Sequence, residues 1–268
     1  MKYSKIFLYG LLALMLTTCA TVPITGRKQL NLIPSSTLLP MSFNQYSEFL
    51  NTNQLSTNSA ETQMVKRVGN RIQRAVEKYM TQNGMASRLE GFQWEYNLVE
   101  DQAVNAWAMP GGKVVFYTGI LPVTKNEDGL AVVMGHEIAH IIAGHGNERM
   151  SKGLLAQAGQ VALSTYMRDQ PQATQNMMLA AYGAGTQVGV MLPFSRKHER
   201  EADKLGLIFM AMAGYDLNEA PQFWERMSAM SNGQAPPEFL STHPSTESRI
   251  QDMRRYIPEA MKYYQPNN

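Results

Sequence analysis

The sequence predicts an α+β protein in which helices outnumber strands. Three observations predict it. Residues 60–82 repeat apolar side chains at helical spacing, residues 92–98 alternate apolar and polar, and after Pro122 the helical period returns and persists to about residue 256.

The first helix places Met64, Val65, Val68, Ile72, Val76 and Tyr79 on one face. In the next segment Phe92, Trp94, Tyr96 and Leu98 alternate with Gln93, Glu95 and Asn97, the period of a half-buried strand. NAWAMPGGKVVFYTG then reads strand, turn, strand, because Gly111 and Gly112 can supply the positive φ of a tight hairpin. The expected sheet is small and mainly antiparallel, between about 92 and 118.

Thr124 to Glu127 has capping-box spacing and marks a helix start. Leu130, Val133, Met134, Ile138 and Ile141 continue it as a stripe, and Gly144 and Gly146 end it. A helical stretch from about 172 to 192 stops before Pro193. Its Ala, Gly and Met content suggests a membrane span, but Gln175, Asn176 and Gln187 interrupt it, so a buried helix is expected. Helices follow at 197–213, capped by Gly214, at 219–231 and at about 245–256.

The chain has 268 residues, enough for one large domain or a domain with an appendage. Its formal charge of +2 comes from Lys2 and Lys5 in a leader without acids, so no nucleic-acid partner is indicated. Residues 1–18 read as a lipoprotein signal peptide, with a basic start and an apolar core from Ile6 to Leu16 too short to span a bilayer comfortably. Leu16-Thr17-Thr18-Cys19 resembles a lipobox, although Thr18 replaces the usual small residue. Cleavage before Cys19 would leave a lipid anchor on that residue. Cys19 is the only cysteine, so no intramolecular disulfide can form. Residues 19–58, rich in Thr, Asn, Ser and Pro, read as a tether and irregular covering segment, and 59–268 as the main domain. The nineteen methionines read mostly as core filler.

The chemistry sits in VVMGHEIAHIIAGH. His136 and His140, four apart on a helix, can face one metal ion, and zinc favours imidazole nitrogens. Glu137 is rotated about 100° from His136, which suits a general base acting on water rather than a third ligand. This is the HExxH pattern of zinc peptidases. A metzincin would place glycine and a third histidine where Ala143 and Gly146 stand, so His145 reads instead as a helix-end residue that helps the last carbonyls or a carboxylate behind the site. The third ligand is expected in SRKHEREADKLG. There Glu199 can complete the site and Asp203, one turn later, can orient a ligand histidine through its ring N–H. Glu201 and His198 should face elsewhere.

NAWAMPGGKVVFYTGIL, GHEIAHIIAGHGNERMS, PFSRKHEREADKLGL and STHPSTESRI together resemble the gluzincin metallopeptidases of the CAAX-prenyl protease and the heat-shock protease HtpX. The leader followed by TVPITGRKQLNL resembles their bacterial periplasmic lipoprotein branch. The resemblance implies a zincin-type domain holding one Zn2+ on His136, His140 and Glu199, with Glu137 as base and Asp203 behind. It implies that His243 stabilises the oxyanion or takes the fourth zinc position at rest, and that a peptide pairs with a strand at Asn105, Ala106 and Trp107. Arg249 supports the His243 loop or pairs only with Glu247 or Asp252. The implied activity is endopeptidase cleavage of unfolded or extended envelope proteins from an outer-membrane anchor facing the periplasm. The alternative is a membrane-tethered chaperone or assembly factor with a latent zinc site.

Overall fold

The computed structural model describes residues 19–231, 236–244 and 247–266. The expected signal peptide, residues 1–18, lies outside them. In chain order the elements are β1 (Cys19–Thr21), β2 (Lys28–Leu30), α1 (Ser35–Thr52), α2 (Ser59–Gln82), β3 (Glu95–Val99), β4 (Ala106–Met109), β5 (Lys113–Tyr117) and the short α3 (Leu121–Thr124). Then come α4 (Glu127–Ala143), α5 (His145–Tyr166), α6 (Gln172–Thr186), α7 (Leu192–Met212), α8 (Glu219–Ala229), α9 (Glu238–Thr242) and α10 (Glu247–Ala260). The class is mostly helical α+β, as the sequence predicts. The chain forms two compact units, one of residues up to Thr37 with Gly144–His198, the other of Leu38–Ala143 with Glu199 onward.

In the larger unit, α2 opens where the Asn58 side chain accepts the backbone N–H groups of Ala60 and Glu61, two donors a helix start leaves unpaired. Its Val65, Val68, Ile72 and Val76 are buried as predicted. The sheet order is β3-β5-β4, with β4–β5 antiparallel and β3–β5 parallel. The predicted hairpin is present: Gly111 and Gly112 adopt φ +89° and +91°, which a side chain at either site would resist. The half-buried reading of β3 fails, since Tyr96 through Val99 are all buried. Asn97 tolerates this because its amide donates to Tyr46 Oη and Glu95 Oε1.

The α4 helix is a core helix, every residue from Gly129 to Ala139 being buried. The predicted capping box is displaced. Asn126, not Thr124, caps α4 by accepting the Gly129 N–H, because Thr124 closes α3 and donates to the Leu121 carbonyl. Where α4 meets α7, Gly135 faces Gly206. A Cβ on Gly206 would lie 3.1 Å from the His136 nitrogen. Two residues without side chains thus let one backbone reach the other.

In the smaller unit, β1 and β2 pair antiparallel, and Asn147 donates to the Ile33 carbonyl. Residues 19–58 are more ordered than the irregular segment the sequence predicts: they hold β1, β2 and the 18-residue α1. The α6 helix corrects a second expectation. It contains no buried residue. Beyond it a short π-helical turn leads into α7, so Pro193 lies in the first turn of a helix and does not stop one.

Candidate metal centre

On α4, His136 and His140 are one turn apart, and their Nε2 atoms lie 3.1 Å from each other. Glu199, on α7, points its carboxylate at both: Oε2 is 3.3 Å from His136 Nε2 and Oε1 is 3.4 Å from His140 Nε2. His243, just after α9, brings Nδ1 to 2.9 Å from Glu199 Oε2 and 3.2 Å from His136 Nε2. These four residues are a group able to hold one metal ion.

Whether zinc fits can be tested on those distances. A tetrahedron with bonds of about 2.0–2.1 Å has edges of about 3.3–3.4 Å. The donor separations, with both Glu199 oxygens included, run from 2.9 to 3.4 Å, at or a little below that edge. Three imidazoles and a carboxylate are also zinc's preferred donors. The residues fit the ion.

Charge compensation holds the group together. Burial disfavours the Glu199 carboxylate, yet His140, His136 and His243 keep it well below the usual carboxylate range. Burial likewise disfavours a charged His136, but Asp203 and Glu199 push it up to about 9 in the metal-free protein. Asp203 Oδ1 lies 3.1 Å from His136 Nδ1, so with an ion bound it would hold that nitrogen as N–H and leave Nε2 to face the cluster.

Glu137 sits beside the cluster, not in it. Burial pushes its carboxyl up, opposed by His243 and His136 and by the backbone N–H of Ala108, which it accepts. Its Oε1 is buried without a hydrogen-bond partner and lies 3.5 Å from His243 Nε2. That Ala108 is available follows from the ladder. Tyr117 donates to the Asn105 carbonyl, so Asn105 and Trp107 face β5, whereas Ala106 and Ala108 turn their backbone groups off the sheet.

The other predicted residues are placed as follows. Asn105 is buried, and its side chain accepts the Ala106 N–H and donates to Glu238 on α9. Ala106 is buried, and Trp107 packs edge-on against Phe49 and Tyr46. His145 is buried at the start of α5, stacked 4.0 Å from His198 and outside the metal group. It lies two residues beyond the last residue of α4, where α5 begins. Glu201 is buried and outside the metal group.

Sequence reasoning left Arg249 undecided. The structure buries it, with Nε and Nη2 donating to the two Asp203 oxygens at 2.8 and 2.7 Å and Nη1 donating to the Pro244 carbonyl at 2.6 Å. Its guanidinium lies 4.5 Å over the Trp224 ring and 3.4 Å from Glu199. It is not confined to a local pair with Glu247 or Asp252. The signal was present: Arg249 shares a helical face with buried Ile250 and Met253, a position where a charge needs a buried partner.

An HExxH helix facing an ExxxD helix beside a small sheet defines a zincin-type metallopeptidase scaffold. The sequence pattern of Peptidase family M48 matches residues 66–257, and the chain belongs to that family, whose members are zinc-dependent metallopeptidases. It is 35% identical over 244 residues to Mitochondrial metalloendopeptidase OMA1 of Schizosaccharomyces pombe, covering 89% of this chain and 66% of the relative. It is 30% identical over 272 residues to human Metalloendopeptidase OMA1, mitochondrial, covering 96% of this chain and 51% of that one. To the Beta-barrel assembly-enhancing protease of Escherichia coli it is 31% identical over 166 residues, 60% of this chain and 34% of the relative. The chain thus spans between a third and two thirds of the length of these relatives.

Proposed function

We propose that the protein is a zinc endopeptidase cleaving unfolded or extended segments of envelope proteins, in protein quality control. The observation that carries this is the convergence of the His136, His140 and Glu199 donors to within 3.1–3.4 Å of one another, with the buried Glu137 carboxyl beside them. His136, His140 and Glu199 would hold the ion, and Asp203 would fix His136. When bound, zinc supplies a Lewis acid and lowers the pKa of the water it holds toward ~7. Glu137 takes the proton of the attacking water and returns it to the leaving amine as the peptide bond breaks. Ala108 holds Glu137 against the edge strand β4. A peptide added along Asn105, Ala106 and Trp107 would pair with the outward backbone of Ala106, displacing the Asn105 side chain from its N–H, and so be gripped with little sequence preference. The relatives, metalloendopeptidases and a beta-barrel assembly-enhancing protease, support this reading. The lipobox at Cys19 supports attachment to a membrane through a lipid, and Ala20 after it favours the outer membrane, facing the periplasm.

His243 gives a second reading some weight. With Nδ1 in the cluster and Nε2 toward Glu137, it occupies the fourth donor position and approaches the base. That arrangement is a resting state of a protease or the latent site of a chaperone. The deciding experiment measures bound zinc and casein cleavage in parent, Glu137→Gln, His243→Ala and the double variant. The peptidase reading requires Glu137→Gln to keep zinc and lose cleavage, and His243→Ala to cleave only when Glu137 is present. Cleavage by Glu137→Gln at the parent rate overturns the mechanism. Zinc-loaded parent and His243→Ala that both fail to cleave leave the chaperone reading.

A further inference from the structure

The smaller unit carries apolar surface that its own fold does not use. Among the described residues, eight of the thirteen exposed large hydrophobic side chains lie between Met150 and Val190. On α5, Met150, Leu154, Ala158 and Val161 follow each other at spacings of four, four and three, which makes one stripe. Leu154 is 48% and Val161 61% exposed. Gln157, Gln160 and Ser164 lie on another side of the helix, and the side toward α6 is marked by Tyr182, whose hydroxyl donates to the Ala156 carbonyl. The α6 helix has no charged residue and no buried one, and its Met177 is 64% exposed. A helix facing water gains nothing from such a composition.

The charge on the same unit says what would cover it. From residue 19 to Thr37 and from Gly144 to His198 there are seven Lys and Arg against two acids, Glu148 and Asp169. Glu148 is buried and paired with Arg27. Arg149, Arg196 and Lys197 are exposed at the base of the hairpin, where the contact of His198 with Glu148 brings the two ends together. Residues 38–143 and 199–268 have the opposite balance, with acids in excess. No described helix is long and apolar enough to cross a membrane. A second copy is a poor occupant, because two such surfaces would bring like charges together.

We propose that the α5–α6 hairpin lies in the interface of an anionic lipid bilayer, its exposed Leu, Val and Met side chains in the acyl boundary and its basic base on the headgroups. Apolar area together with basic residues is what holds helices at such interfaces. This contact is separate from any acyl chain on Cys19 and independent of proteolysis.

The test is vesicle co-sedimentation of the zinc-loaded protein from residue 19 onward carrying Cys19→Ser, so that neither the apolar leader nor an acyl group contributes. Phosphatidylglycerol-rich vesicles should bind it, pure phosphatidylcholine vesicles much less, and added salt should weaken binding. Each of Arg149, Arg196 and Lys197 changed to Gln should weaken binding about fivefold. Leu154→Glu with Val161→Glu and Met177→Glu, all at exposed positions, should abolish it while far-ultraviolet circular dichroism and bound zinc stay at parent values. Absence of binding to anionic vesicles, or equal binding by the triple Glu variant, overturns the proposal. Self-association of the parent that the Glu variant abolishes, without vesicle binding, assigns the surface to a second copy and overturns it as well.

Discussion

Arg249 offers the sharpest test of how the centre is held. Arg249→Met removes the guanidinium and leaves Asp203 buried beside His136 without its fork of two hydrogen bonds. Breaking a buried pair by deleting one partner costs about 3–5 kcal/mol. For a domain of this size that lowers Tm by roughly 6–20 °C. The Pro244 carbonyl next to His243 loses its donor as well, so the loop should loosen. Arg249→Lys restores charge but cannot form both bonds to Asp203, and should fall between. The assay is denaturant unfolding of parent, Arg249→Met, Asp203→Asn and the double variant. If the two groups act as a pair, the cycle shows a coupling of about 2 kcal/mol or more. Additivity within about 0.5 kcal/mol, or an Arg249→Met variant as stable as the parent, would refute the reasoning.

Three other outcomes are expected. Gly206→Ala places a Cβ 3.1–3.3 Å from the Gly135–His136 backbone, so α4 and α7 must separate; a loss of about 1–3 kcal/mol and weaker zinc retention against a chelator should result, and unchanged retention would contradict the close crossing. Glu148 is buried, which disfavours its charge, but His198 and Arg27 hold its pKa at about 2. A depressed carboxylate stabilises fully above its unfolded value of about 4.5 and loses that contribution as pH falls through about 2, so Glu148→Gln should flatten the decline of the unfolding midpoint between about pH 5 and 2. His243→Ala should keep zinc through His136, His140 and Glu199 with about tenfold or more loss of affinity, one ligand of four being gone, and equilibrium dialysis at graded chelator would show it.

The sequence by itself determined what repeats locally. A period of 3.6 fixed α2 and α4, because side chains four apart share a face whatever the surroundings. The same rule put His136 beside His140 and Glu199 in line with Asp203. The paired glycines announced the β4–β5 turn, since few other residues adopt positive φ. Positions whose meaning depends on distant chain were not legible. Arg249 looked able to pair along its own helix, and only the fold showed that Asp203, 46 residues earlier, is its partner. The α6 stretch read as buried because its composition is apolar, yet burial is decided by what packs against a helix, and no residue of α6 is buried among the described residues. His243 arrives at the cluster because α9 turns the chain toward α4, a geometry that no local period encodes.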